Sequence, residues 1–138
     1  MIAEYNPYLL DVEYNTIQRD QKFATYLKRS KCKLLVSWHD FKRTPNDSQL
    51  KTKYNKMRRY SDVIKIVTVA KNVSDASRLL SLYSIKSKNK IIAFCMGEQG
   101  KFSRILSLHL GSPFTYVSLG KAIAPGQFSL NEIKSLQT

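Results

Sequence analysis

Val63-Ile64-Lys65-Ile66-Val67-Thr68-Val69 decides the fold. The run is β-branched almost throughout and has no polar side, so it reads as a strand buried on both faces, the mark of a parallel sheet. Four shorter runs of similar kind flank it, at Tyr8 to Val12, Lys33 to Ser37, Ile91 to Met96 and Phe114 to Ser118. Each is followed by a segment with helical spacing.

The first of these segments predicts a helix from Thr16 to Ser30 that turns Phe23, Tyr26 and Leu27 inward. In the second, Leu50, Tyr54 and Met57 stand at i, i+4 and i+7, a single apolar stripe on a helix that Ser48 could cap. The third opens at Ser74 with Leu79, Leu80 and Tyr83 inward, and the fourth carries Phe102, Ile105, Leu106 and His109 before Gly111 stops it. A last helix spans Leu130 to Leu136. Five strands alternating with five helices make a single α/β domain over residues 1–138. Periodicity alone leaves two closures open, a doubly wound sheet or part of a barrel. Tyr14-Asn15-Thr16-Ile17 stands where a dinucleotide or phosphate loop would need glycines, which removes support for nucleotide folds.

The 138 residues carry 23 Lys+Arg against 10 Asp+Glu, a formal net charge of +13. Such a surplus favours acidic partners, but the lysines are scattered, and the densest basic stretch, Lys51 to Arg59, interleaves with Tyr54 and Met57 as the solvated face of a helix. Nucleic-acid binding is therefore not the expected role. No apolar run reaches the roughly 20 residues of a membrane span, and Met1-Ile2-Ala3-Glu4-Tyr5 has no leader pattern, so a cytoplasmic protein is expected. Cys32, Cys95, His39 and His109 lack ligand spacing, so no metal is expected.

Lys65 is the most informative position. Strand alternation places it on one face with Val63, Val67 and Val69. Desolvation disfavours an ammonium ion, and the free amine can attack a carbonyl to form a Schiff base. The bland reading is a lysine that snorkels or pairs with Asp62 or Glu13. His39 stands just past Leu34-Leu35-Val36, at the carboxyl end of a strand, where parallel α/β folds bind ligands and where an imidazole can exchange protons near neutrality. Arg104 opens a helix after the fourth strand, a suitable place to clamp a carboxylate, and Ala124-Pro125-Gly126 forms a turn that presents Gln127. Asp11 and Glu13 share a side of the first strand, but the sequence shows no third partner for them.

Ser37-Trp38-His39-Asp40-Phe41 with Thr44-Pro45, then Asp62 to Ile66, then Met96-Gly97 with Gly100 and Ser103-Arg104, then Ala124-Pro125-Gly126-Gln127 together resemble type I 3-dehydroquinate dehydratase in order and spacing. The resemblance implies a (β/α)₈ TIM barrel that dehydrates 3-dehydroquinate to 3-dehydroshikimate in the shikimate route to aromatic amino acids. It implies Lys65 as the Schiff-base residue and His39 as the general acid-base. It also implies that Arg104 and Gln127 hold the substrate while Met96 and Tyr116 line the pocket, with no cofactor.

Ile123 departs from the family, standing where many members have a serine that contacts substrate. By the resemblance the first strand here aligns with the family's fourth, so the chain holds about five of eight units, strands four to eight. The acidic residue that positions the family's histidine is expected to lie in the part not present. Such an arc leaves open edges, so a preceding segment, with Met1 an internal start, or a homo-oligomer is expected to complete the barrel. The alternatives are a weakly active or inactive basic homologue that binds an anionic partner and, last, another lysine-imine barrel such as an aldolase.

Overall fold

Four strands pair in parallel in chain order: β1 (Leu10–Glu13), β2 (Leu34–His39), β3 (Val63–Val69) and β4 (Lys90–Met96). This is the computed structural model of the chain, and it describes residue 5 and residues 7–136; the sequence reading at Met1 to Glu4 lies outside those residues. β3 sits between β2 and β4 with every residue but Val69 buried, as its unbroken apolar pattern requires. The α/β architecture expected from the sequence is the one observed.

The helices between the strands are α1 (Tyr14–Arg19), α2 (Gln21–Arg29), α3 (Asp47–Met57) and α4 (Val73–Leu80); α5 (Ser103–His109) follows β4, and α6 (Leu130–Leu136) ends the described chain. The helix expected at Thr16 to Ser30 is two helices. The Asp20 carboxylate accepts the Phe23 amide at 2.9 Å and starts a new helix, which breaks the old one. Ala24 and Leu27 then turn inward while Tyr26 stays exposed. α3 buries Leu50, Tyr54 and Met57 as expected, but a reciprocal capping box between Asn46 and Gln49 starts it rather than Ser48. α4 opens at Val73, one residue early, on an Asn72 cap.

Two departures concern the carboxyl side. Phe114 to Ser118, expected as a fifth strand, forms no ladder; its single bridge joins Ser118 to Ser129. α5 does not bury its apolar stripe. Ser103, Arg104 and Ser107 face the sheet while Phe102, Leu106 and His109 are exposed. Close approach explains the inversion. A Cβ on Gly100 would stand 2.5 Å from the Cys95 Cβ, and Ser103 Oγ accepts the Cys95 amide at 2.8 Å, so only small residues fit between α5 and β4.

Two apolar clusters divide the interior. One lies between sheet and helices and contains Val36, Leu50, Tyr54, Met57, Ile64, Ile66 and Leu79. The other lies on the opposite face and contains Leu35, Val63, Val67, Ile92, Phe94 and Met96, with Phe114 and Tyr116 packed against it. Side chains satisfy part of the β4 edge, since the Tyr83 hydroxyl accepts the Ala93 amide at 2.8 Å and donates to its carbonyl at 3.2 Å.

Candidate active site

The face opposite the helices carries Lys65 and His39, and strand register arranges its side chains in rows. Glu13, Ser37, Lys65 and Ile92 lie abreast across the four strands, and His39, Val67 and Phe94 form the next row toward the carboxyl ends. Alternation on each strand therefore aims the Lys65 amine and the His39 imidazole at the same side.

Each has its own carboxylate. Lys65 Nζ donates to Asp11 Oδ2 at 3.0 Å, so its counter-ion is neither Asp62 nor Glu13. The amine also lies 4.5 Å from the centre of the Tyr116 ring. His39 Nδ1 stands 2.8 Å from Glu13 Oε2, and the Ser37 hydroxyl donates to the same oxygen at 3.4 Å. A carboxylate accepting from Nδ1–H leaves Nε2 as the basic nitrogen. The stacked ring of Phe41, 5.6 Å away, fixes the imidazole plane.

Arg104 is 2% exposed. Its guanidinium lies 4.3 Å from the centre of the Phe94 ring, Nη2 donates to the Pro125 carbonyl at 3.5 Å, and Nε has no partner among the described residues. Burial lowers its pKa to about 10. A buried cation with an unfilled donor is built to receive an acceptor.

The loop of Pro125 and Gly126 docks on the end of β4. The Gly97 amide donates to the Pro125 carbonyl at 3.1 Å, and a Cβ on Gly126 would stand 2.5 Å from the Gly97 carbonyl oxygen, at a φ of +70°. Gln127 holds that loop, its Oε1 accepting the Ile123 amide at 2.9 Å and the Ala124 amide at 3.3 Å. Its oxygen thus serves the loop, a role the sequence did not suggest. Met96 is buried in the same apolar cluster and Ile123 is exposed.

Lys65, Tyr116, Met96 and Arg104 thus border one apolar face, with His39 on its upper row. The residues that sequence reasoning missed are the two acids. Their shared side of β1 was visible, but their partners, His39 for Glu13 and Lys65 for Asp11, depend on register. No group of three or more His, Cys, Asp or Glu side chains among the described residues could hold a metal, and no helix among them is long and apolar enough to cross a membrane.

The family model for type I 3-dehydroquinase matches residues 1–138. A relative from Dehalococcoides mccartyi named 3-dehydroquinate dehydratase is 38% identical over 134 residues, covering 95% of this chain and 60% of that protein. The structure of type I 3-dehydroquinate dehydratase from Clostridium difficile with covalent modified comenic acid matches with a TM-score of 0.79 and 28% identity, covering 98% of this chain and 56% of that one. The 3-dehydroquinate dehydratase of Aquifex aeolicus matches with a TM-score of 0.78 and 32% identity, covering 94% of this chain and 59% of that one. The chain spans about 60% of the length of the curated relative from Dehalococcoides mccartyi.

Proposed function

We propose, for a chain that belongs to the type I 3-dehydroquinase family, that its inner sheet face dehydrates 3-dehydroquinate to 3-dehydroshikimate through an imine on Lys65. The observation that carries this reading is the pair of Lys65 and His39 on one face, each held by its own carboxylate, beside the unfilled Nε of Arg104. The Clostridium difficile relative is a type I 3-dehydroquinate dehydratase with covalent modified comenic acid, which supports covalent chemistry in the family.

In this mechanism Lys65 passes one proton to His39 Nε2 and adds to the C3 ketone; the carbinolamine oxygen then takes one proton from the nitrogen and the other back from His39 and leaves as water, giving an iminium ion whose charge faces Asp11. His39 Nε2 removes a C2 proton, and the C2–H electron pair moves into the iminium to form an enamine. The enamine then returns that pair to form the C1–C2 double bond as the C1 hydroxyl leaves. It takes the proton from His39 and departs as water, a syn elimination. Hydrolysis of the imine releases 3-dehydroshikimate and restores the amine. Arg104 holds the substrate carboxylate, Gln127 keeps the loop closed over it, and Met96 and Tyr116 shape the wall. Glu13 acts as a positioning residue, keeping the Nδ1–H tautomer that leaves Nε2 basic.

The route uses no metal or dissociable cofactor and suits a cytoplasmic enzyme of the shikimate pathway. On this reading residues 1–138 supply the barrel from its fourth strand onward, with Phe114 to Ser118 in the place of the eighth although it forms no ladder here, and a preceding segment or a second copy of the chain supplies the rest.

The test is intact-mass spectrometry after incubation with 3-dehydroquinate and borohydride, followed by peptide mapping. A reduced adduct on Lys65 that disappears in Lys65→Ala is the expected result. No adduct from the folded chain would sink the lysine chemistry. A Glu13→Gln variant is expected to keep the adduct but turn over at least about tenfold more slowly, with kcat falling more than KM rises.

A further inference from the structure

A pocket of about 470 Å³ opens on the other side of β2, away from Lys65. Trp38 alternates with Ser37 and His39 along the strand, so its ring faces the helices. Tyr14, Pro45, Arg43, Lys53 and Lys56 complete the walls used here. The volume falls within the roughly 300–1,000 Å³ of small-ligand sites.

The charges in this pocket are not balanced. Lys53 Nζ stands 4.5 Å from the centre of the Trp38 ring and 5.1 Å from that of Tyr14, an ammonium wedged between two aromatic faces. No carboxylate of a described residue forms an ion pair with Arg43, Lys53 or Lys56. The one acid in the lining, Asp40, spends Oδ1 on the Lys42 and Arg43 amides at 2.9 and 3.1 Å, closing its own turn. Burial first, and then the like charge of Lys56, lower the Lys53 pKa, against the opposing pull of Glu13 and Asp40. An anion entering here relieves that repulsion.

We propose that this pocket is a binding site for a small organic anion with a flat apolar body, an aromatic carboxylate or a nucleoside monophosphate. Its anionic group would sit among Lys53, Lys56 and Arg43, and its ring against Trp38 and Pro45. The apolar walls distinguish such a ligand from a bare inorganic ion, which would leave them wet. The site stands independently of the lysine chemistry on the opposite face.

Trp38 is the single tryptophan, so its emission reports the pocket directly. The experiment titrates the 138-residue chain with benzoate, 5′-AMP and inorganic phosphate, following Trp38 fluorescence and saturation transfer to the ligands' ring protons. Benzoate or 5′-AMP is expected to give a saturable response with a midpoint of about 1 mM, and phosphate a midpoint at least about tenfold higher. Arg43→Gln, which leaves the Lys53–Trp38 contact in place, and Lys53→Met should each raise the organic-anion midpoint about tenfold. Lys134→Met, on α6, should not. A response to phosphate equal to that of both organic anions would reduce the site to a generic cationic patch and overturn the proposal. So would an absence of saturation by either organic anion, or binding indifferent to both variants.

Discussion

Replacing Arg104 by methionine should stabilise the fold while removing the function proposed for the site. The guanidinium is 2% exposed, its Nε has no partner among the described residues, and burial lowers its pKa to about 10. At 1.36 kcal/mol per pKa unit, that fall corresponds to about 3 kcal/mol of cost to keeping the charged group inside. The cation–π contact with Phe94 and the long hydrogen bond to Pro125 return about 1 kcal/mol of this and are lost in the variant. Methionine has a similar length and no charge, so the net gain is about 2 kcal/mol, or roughly 7 °C in Tm for a domain of this size.

The sign with pH follows from the same shift. The unfolded chain binds the proton more tightly than the folded one, so the penalty is constant below about pH 10 and fades only at more alkaline pH, toward the ordinary arginine range. Thermal unfolding followed by circular dichroism should therefore show the same gain at about pH 6 and about pH 9, while the borohydride adduct with 3-dehydroquinate is lost. A Tm lowered by several degrees would refute the reasoning, because it would mean that the contacts of the guanidinium outweigh its desolvation and that its burial is structural.

Other perturbations probe the framework. Tyr54 is fully buried and its hydroxyl has no partner among the described residues, so Tyr54→Phe should raise stability by about 1 kcal/mol in urea unfolding, and a comparable loss would point to a hidden partner. Gly126→Ala drives a Cβ toward the Gly97 carbonyl at a positive φ and should cost about 2 kcal/mol, detected as lower Tm and faster proteolysis of the loop after β4. Burial raises the Cys95 thiol pKa, which its bonds to Thr68 and Thr44 only partly offset, so peptide mapping after iodoacetamide treatment of the native chain at neutral pH should find Cys95 unmodified until denaturant is added.

Local pattern carried much of the site. The placement of Lys65 and His39 was legible because period-two alternation and strand-end position are properties of a few consecutive residues. Asp11 and Glu13 were visible as acids on one side of β1, yet their assignment was not, because it depends on how β1 is offset against β2 and β3. Glu13 reaches His39 and Asp11 reaches Lys65 only in the register where Glu13 stands beside Ser37 and Ser37 beside Lys65. Gln127 was expected to face substrate, but the docking of its loop on Gly97 turns its oxygen to the Ile123 and Ala124 amides.

The elements that followed their pattern were those whose burial the strand or helix decides alone. β3 needed two apolar faces and had them, and Leu50, Tyr54 and Met57 made one stripe that α3 buries. By itself the sequence therefore determined the parallel α/β class, the alternation of four strands with helices and the placement of Lys65 and His39 on their strands, since each follows from covalent spacing along one segment. Only the tertiary structure decided which face of α5 turns inward, where Gly100 against Cys95 leaves room for serines but not for Phe102, and which acid serves which base. Those choices depend on the distance between separate segments, a quantity that no local periodicity encodes.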